Sequence, residues 1–382
     1  DFFLEEQKDW SKRKLAIVSG YLAGWAKILG SRTSQPCVYF IDGFAGAGKH
    51  KKDGSKGSPL LSAELALQYR NKQRPYHLNC INIEEDSDNF QNLKVVTAPF
   101  GGLVQNYAGS FSLNLGTILN QIGQCPALFF LDPFGVKGTD WSDISRIIHR
   151  QSPTDIWMRF DHKTVRRLSG FFDSGSRGAD NKIKNLLDLY GINRSDNLYQ
   201  LLQGNTPEER IDKALNLYIR KLEEEFVKSR KFGYSAAFPI ISIEGETKYH
   251  LVFAAAHQNA AILASQTVYS AERNRASERQ EYLQRKSGQL FLFSPDPSEE
   301  DLLTFIADQL HSDIARLCAG QTLSRQEICM RLIRDNGKKW FGRFSGKHLN
   351  KAFSLLEEGA DPVIKARNGA PSNDKTIFTF RP

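Results

Sequence analysis

The sequence predicts an α/β protein built around a parallel sheet, on the evidence of three patterns. Short apolar runs that indicate buried strands lie at 38–42, 78–84, 102–107, 127–132 and 155–160. Segments with helical patterns separate these runs, at 58–69, around 90–93, at 111–122 and at 142–149. Alternation of strand and helix at this spacing is typical of crossover units, which cover both faces of a parallel sheet with helices.

Further elements complete the first predicted domain, residues 1–293. Apolar residues three and four positions apart predict an amphipathic helix over 10–29, ahead of the first strand. A mostly polar helical insertion is expected at about 165–235. Two strands joined by a short turn, at 237–243 and 249–255, predict an antiparallel pair that closes the edge of the sheet.

A second domain is predicted at 294–382, because the Pro- and Ser-rich segment at its start marks a boundary. Its predicted helices lie at 299–318, 324–334 and 345–358, and a β-hairpin is predicted at 362–367 and 375–380. Three helices followed by a terminal hairpin are the order of a winged helix-turn-helix domain.

Composition narrows the class of protein. The 382 residues are 40% hydrophobic and 25% charged, as in ordinary globular proteins, and no apolar run is long enough to span a membrane. Five widely spaced cysteines form neither a disulfide framework nor a zinc motif, so we expect reduced thiols in a cytoplasmic protein. The six histidines between 50 and 257 show no metal-ligand spacing. The net charge of +8 is compatible with a polyanionic partner.

The segment 38–48 combines a strand, an acid and a glycine-rich turn. Asp42 ends the strand, and Gly43, Gly46 and Gly48 follow it, so the backbone can turn sharply and approach a ligand closely. Two interpretations fit: a phosphate-binding loop and a site for a methyl donor.

The phosphate-loop interpretation rests on the pattern G-x-x-x-x-G-K at Gly43 to Lys49, with Asp132 as the acid that assists magnesium. Two features oppose it. His50 occupies the position of the magnesium-binding hydroxyl residue, and residues 51–57 have the composition of a loop where the phosphate-cradling helix should begin.

The methyl-donor interpretation requires an acid at the strand tip, a glycine-rich bend and a second acid for the ribose hydroxyls. Glu84, at the end of the second strand, supplies the second acid. The predicted cofactor-binding residues on the first strand and its turn are Asp42, Gly43, Phe44, Ala45, Gly46 and Gly48. The alternative that needs no ligand is a plain tight turn.

The candidate acceptor site is Asp132-Pro133-Phe134-Gly135, at the end of the most apolar strand. The Asp132 carboxylate and the Pro133 carbonyl can accept hydrogen bonds from a flat amine, and Phe134 can pack against its ring. Orienting the nitrogen lone pair in this way is sufficient for methyl transfer. An Asp–Pro turn that only caps the strand is the structural alternative.

The third candidate site is basic. Eight Lys and Arg lie between residues 325 and 351 against two acids, with aromatic residues interleaved. This pattern indicates contacts with nucleic-acid phosphates, for which the candidates are Lys338, Lys339, Arg343, Lys347 and Lys351. A solvated surface on a protein-binding domain is the alternative.

Several segments together resemble the three-Cys-motif partner protein (TcmP) family. The resemblance covers residues 10 to 270 and is carried by Trp10, Lys14, Tyr21, Leu22 and Trp25, and by the segments 39–48, 57–60, 129–135 and 249–254. The resemblance implies a Rossmann-like methyltransferase sheet, similar to class I S-adenosylmethionine (SAM)-dependent methyltransferases, often followed by a winged helix. It also implies a radical-SAM-like partner protein with a three-cysteine motif.

Two details of the resemblance concern specificity. Asp132-Pro133-Phe134-Gly135 is similar to the corresponding motif of tRNA guanine-N2 dimethyltransferases and departs from the Asp-Pro-Pro-Tyr form of adenine-N6 enzymes. Ser110 stands where many methyltransferases carry an acid near the adenine amine, so it joins the predicted cofactor residues.

The leading hypothesis is a SAM-dependent methyltransferase that acts on an exocyclic amine of a base in RNA or DNA. Asp161 and Arg166 are further candidates for substrate contact, or form a surface ion pair. The competing hypotheses are a phosphate-loop ATPase that depends on Lys49 and a non-catalytic scaffold for a protein or a nucleic acid.

Overall fold

The computed structural model describes residues 7–31, 37–170, 179–192, 198–202, 206–287, 299–358 and 362–382. The chain divides into two compact units, Asp1–Ala260 and Ala261–Pro382. The domain boundary predicted at residue 294 lies outside the described residues.

The first unit is a seven-stranded sheet whose strands follow the order β3-β2-β1-β4-β5-β7-β6. All neighbouring strands up to β5 are parallel, and β7 runs antiparallel to both β5 and β6. The strands are β1 Cys37–Asp42, β2 His77–Glu84, β3 Val104–Ala108, β4 Ala127–Leu131, β5 Thr154–Phe160, β6 Tyr234–Ile241 and β7 Thr247–Ala255. The parallel sheet and its antiparallel edge pair confirm the predicted α/β class.

The path of the chain creates a switch point between β1 and β4. From β1 the chain moves outward to β2 and β3, and then returns to β4 on the other side of β1. Every residue of β4 is buried, as its continuous apolar run predicts. In open α/β sheets of this kind, ligands bind beyond the carboxyl ends of the strands at the switch point.

Helices connect these strands. They are α1 Asp9–Gly30, α2 Ser58–Asn71, α3 Ser87–Thr97, α4 Phe111–Ile122, α5 Trp141–Ile148, α6 His162–Ser169, α7 Ala179–Tyr190, α8 Leu198–Leu202 and α9 Pro207–Arg230, and α10 Gln258–Ser287 leads into the second unit. A short 3₁₀ helix over Ala98–Leu103 precedes β3. The helices α6 to α9 lie between β5 and β6, where the helical insertion was predicted.

Hydrogen bonds anchor the first helix, α1, to the part of the sheet that contains β5 and β6. The Tyr21 hydroxyl donates to Oδ2 of Asp155 at 2.7 Å, and both residues are buried. The Arg13 guanidinium donates to the carbonyl of Ile241 at 3.0 Å, and the amide of Ile243 donates to Asp9 at 2.6 Å. These contacts fix α1 against β5 and β6.

One cysteine prediction is corrected. The structure pairs Cys37, at the start of β1, with Cys125, just before β4, in a disulfide whose Cα atoms are 6.0 Å apart. The prediction of reduced thiols is therefore wrong for this pair, because adjacent parallel strands bring together two cysteines 88 residues apart in sequence. Cys80, Cys318 and Cys329 are free and buried.

The second unit combines helices with a small antiparallel sheet of order β8-β10-β9. The elements are α11 Glu299–Cys318, β8 Thr322–Ser324, α12 Arg325–Arg334, α13 Gly346–Glu357, β9 Ile364–Arg367 and β10 Ile377–Phe380. Ser324 caps α12 in a capping box with Glu327. The terminal hairpin forms as predicted, and β8 adds a third strand that the sequence pattern did not reveal.

Candidate functional site

A cleft of about 810 Å³ opens where the loops leave the carboxyl ends of β1 to β4. Its volume lies within the range of about 300–1,000 Å³ that is usual for small-molecule sites. Eight of the predicted cofactor and acceptor residues line it: Gly43, Phe44, Ala45, Gly46, Glu84, Ser110, Asp132 and Phe134. The topology thus brings together segments that are far apart in sequence.

Asp42 ends β1 and is completely buried directly behind Gly43. Its Oδ1 accepts a hydrogen bond from the amide of Phe44 at 3.2 Å. Burial raises the pKa of Asp42 to about 7, although the Ser58 hydroxyl and the Phe44 amide favour the ionised form. Asp42 does not line the cleft itself, whereas Gly43, the next residue, does.

The turn after β1 needs glycine at two positions. Gly46 and Gly48 have φ angles of 63° and 75°, in the left-handed region that side chains disfavour. The amide of Gly57 donates to the carbonyl of Gly48 at 2.9 Å, and the amide of Ala45 donates to Ile83 at 2.9 Å. The turn is therefore held on both sides, and Gly48 supports its shape without lining the cleft.

Glu84, at the end of β2, connects the second strand to this turn. Its Oε2 accepts a hydrogen bond from the amide of Gly46 at 2.6 Å, and its Oε1 accepts one from the amide of Asp86 at 2.9 Å. Burial raises the pKa of Glu84. Each carboxylate oxygen has a second lone pair, so Glu84 can still accept hydrogen bonds from a diol.

Ser110 lies at the start of α4, on the wall formed by the loop after β3. Its side chain caps the helix by accepting a hydrogen bond from the amide of Leu113 at 3.3 Å. The preceding Gly109, with φ of 104°, donates its amide to the carbonyl of Glu84 at 2.9 Å. Ser110 thus caps α4 and also lines the cleft.

Asp132 follows β4 and has a partner that the sequence analysis did not assign to the site. The ammonium group of Lys14, on α1, donates a hydrogen bond to Oδ2 of Asp132. Within the described residues, no hydrogen bond reaches Oδ1, which lies 3.8 Å from the Arg159 guanidinium. Pro133 is buried, whereas Phe134 is 69% exposed. The two carboxylate oxygens of Asp132 therefore have different surroundings.

Arg159, on β5, was also missed. Its guanidinium lies 4.5 Å from the ring centre of Tyr249 and 5.7 Å from that of Phe134, and it pairs with Asp161 at 3.5 Å. Asp161 caps α6 by accepting from Thr164 at 3.1 Å. Neither Asp161 nor the exposed Arg166 lines the cleft. A basic residue inside an apolar strand is the sequence signal that points to Arg159.

The structure does not support a phosphate loop. Lys49 is exposed, and its backbone forms an isolated antiparallel bridge with Lys56. The next helix, α2, begins only at Ser58. The helix N-terminus that should cradle phosphates directly after Lys49 is thus replaced by a loop.

The predicted basic residues of the second unit fall into two groups. Arg343, Lys347 and Lys351 are exposed, whereas Lys338 is half-buried and Lys339 pairs with Asp313 at 3.1 Å. His348, the residue after Lys347 on α13, does not share their exposure. It is buried, and its Nδ1 accepts a hydrogen bond from the amide of Ser345 at 3.0 Å.

The strand order with its antiparallel seventh strand fits a Rossmann-like methyltransferase fold. No protein-family model and no curated protein matches the chain. Within the described residues, no group of three or more His, Cys, Asp or Glu is placed to hold a metal ion, and no helix is long and apolar enough to cross a membrane.

Solved structures of O-methyltransferases are among those similar to this chain. A putative O-methyltransferase from Klebsiella pneumoniae is 12% identical over 66% of this chain and 92% of its own, with a TM-score of 0.32. The O-methyltransferase TomG from Streptomyces achromogenes, solved with SAM, is 13% identical over 66% and 91%, with a TM-score of 0.32. An O-methyltransferase from Bacillus cereus, solved with SAH, is 14% identical over 63% and 80%, with a TM-score of 0.34. Because these TM-scores are low, the assignment of the fold rests on the strand order.

Proposed function

We propose that this chain is a SAM-dependent methyltransferase that acts on an exocyclic amine of a base in RNA or DNA. The observation that carries the proposal is that the turn from Gly43 to Gly46 and Glu84 line one cleft, with the buried carboxylate of Asp42 directly before this turn in the chain. Two acids at the tips of neighbouring parallel strands, with a left-handed glycine turn between them, suit a ligand that has an ammonium group at one end and a ribose at the other.

Different residues of the chain would bind the different parts of SAM. Asp42 would stabilise the ammonium group, Glu84 would accept hydrogen bonds from the ribose hydroxyls, and the backbone near Ser110 would contact the adenine. Bound SAM supplies an electrophilic methyl group. The loop between Gly43 and Gly46 would lie against the amino-acid part of the ligand. Hydrogen bonds within the protein already hold this loop in one shape.

The acceptor would bind at Asp132, Pro133 and Phe134. Lys14 occupies Oδ2 of Asp132, so Oδ1, which is buried and accepts no hydrogen bond within the described residues, would be the oxygen that accepts one from an amine. The exposed ring of Phe134, with the Arg159 guanidinium beside it, offers a surface on which a base can stack. Orienting the amine lone pair towards the methyl carbon is the catalytic contribution of these residues; the proton that the amine loses passes to water.

The second unit would hold the nucleic acid as a winged helix-turn-helix domain. Lys347 and Lys351 are exposed one turn apart on α13, and the hairpin carries the exposed Lys365 and Lys375. Positive charge on a helix and on a neighbouring hairpin suits contacts with phosphates. A radical-SAM-like partner with a three-cysteine motif remains part of the proposal on the resemblance alone.

Two measurements test the proposal. Calorimetry of the full chain should show binding of SAM, and the substitution Asp42→Ala should abolish it. The control is Asp88→Asn, which replaces an exposed acid on α3 and should preserve binding. The chain is then incubated with methyl-labelled SAM and either bulk RNA or unmethylated DNA, and the nucleosides released by digestion are analysed by mass spectrometry. Label on an N-methylated base supports the proposal. Absence of binding at millimolar SAM, or label on ribose oxygen only, contradicts it.

A further inference from the structure

The loop that follows the glycine turn has no role in the function proposed above. Four of the eight residues at 49–56 are lysine, against a single acid, Asp53. All four lysine side chains are exposed: Lys49, Lys51, Lys52 and Lys56. The loop adjoins the cleft, because His50 and Gly57 line it.

The loop has a defined shape. Lys49 and Lys56 face each other in an antiparallel bridge, and the amide of His50 donates to the carbonyl of Ser55 at 2.9 Å. Residues 51–53 form the turn at its tip. The base of this hairpin-like loop therefore lies in the cleft wall, and its tip presents Lys51 and Lys52 to solvent.

Among the described residues, two acids lie in or against the loop. Lys56 pairs with Glu64 at 2.6 Å. Asp53 is occupied by hydrogen bonds from the Ser55 amide at 3.0 Å and the Ser55 hydroxyl at 2.7 Å.

We propose that residues 49–56 form a contact site for the sugar–phosphate backbone of the nucleic-acid substrate, on the unit that contains the cleft. This inference rests on the proposed function and extends it, because phosphate contacts would then lie beside the acceptor site as well as on the second unit. Lys137, which is exposed and lines the cleft, adds a cation on the loop after β4. Cations thus lie on the loops after β1 and β4, and residues of both loops line the cleft that Phe134 also lines.

The test measures binding of the full chain to fluorescein-labelled single-stranded RNA and DNA by fluorescence anisotropy over a range of salt concentrations. The variant K49Q/K51Q/K52Q should bind at least about tenfold more weakly at low salt. The slope of log affinity against log salt should fall by about 2, since each phosphate contact on a single strand contributes about 0.7. The matched control is K27Q/K72Q/K94Q, three exposed lysines that do not line the cleft, and it should stay within about twofold of the wild type.

Calorimetry with SAM separates the two proposals. Binding of nucleic acid that is equally strong in K49Q/K51Q/K52Q and in the wild type overturns the loop inference and leaves the proposed function standing. A wild-type chain that binds SAM but neither RNA nor DNA overturns both the nucleic-acid substrate and the loop contact. If the loop variant loses nucleic-acid binding, the contact site is supported. If the wild type at the same time binds no SAM, the methyltransferase proposal is overturned.

Discussion

The carboxylate of Glu84 accepts a hydrogen bond from the amide of Gly46 across a distance of 2.6 Å. This bond joins the end of β2 to the turn after β1, two segments that were assigned separately to one cofactor site. The acid therefore does two things: it shapes the turn, and it presents free lone pairs to the cleft.

Replacing Glu84 tests this double role. Glu84→Gln leaves one side-chain oxygen where the carboxylate uses two, and places an NH₂ group against a backbone amide. We expect the Kd for SAM to rise about 10- to 100-fold, the size of one hydrogen bond to a charged group. Calorimetry measures this, with Asp88→Asn as the acid-to-amide control on the neighbouring helix. A Kd for SAM within twofold of the wild type would show that Glu84 does not contact the ligand.

Asp42 predicts a pH dependence of SAM binding. Because burial raises its pKa to about 7, the carboxyl is increasingly protonated below that pH and must lose its proton to pair with an ammonium group. Affinity for SAM should therefore fall as the pH drops from 7 to 5, by up to about 100-fold. Asp42→Asn should bind SAM weakly and without this dependence. Calorimetry across the pH range checks both expectations, and an equal slope in the variant would assign the effect to another group.

The contact between Lys14 and Asp132 predicts that a variant of Lys14 can lose methyl transfer and still bind SAM. Lys14→Met removes the donor to Oδ2 of Asp132, so the carboxylate loses its orientation while the SAM site stays intact. We expect the Kd for SAM to stay within about twofold and the rate of methyl transfer to fall at least about tenfold. Lys14→Gln, which retains a donor, should recover part of the rate. Transfer by Lys14→Met at the wild-type rate would leave Lys14 without a role in acceptor binding.

The disulfide predicts a redox-dependent stability. Reduction of the bond between Cys37 and Cys125 releases a loop of 88 residues in the unfolded chain and should lower the free energy of unfolding by about 2–5 kcal/mol. Urea unfolding with and without dithiothreitol measures the difference. The double variant C37S/C125S should unfold at the same urea concentration under both conditions. A midpoint that dithiothreitol shifts in the double variant too would assign the effect elsewhere.

The sequence predicted those parts of the site that local patterns encode. Asp42 and Glu84 were found because each ends an apolar strand, and parallel strands bring such ends to one edge. Lys14 was missed as a site residue because its contact with Asp132 spans 118 positions and depends on how α1 packs on the sheet. The pairing of Cys37 with Cys125 was missed for the same reason, since no local signal links the starts of β1 and β4.

The hydrogen bond between Tyr21 and Asp155 fixes the position of α1 along its own axis. Lys14 lies seven residues before Tyr21, which is about 10 Å along a helix at 1.5 Å per residue. This distance along the helix brings the Lys14 ammonium group to the carboxylate of Asp132, which follows β4. A single residue inserted between Lys14 and Tyr21 would turn the lysine about 100° around the helix axis and carry it away from Asp132, with every strand of the sheet left in place.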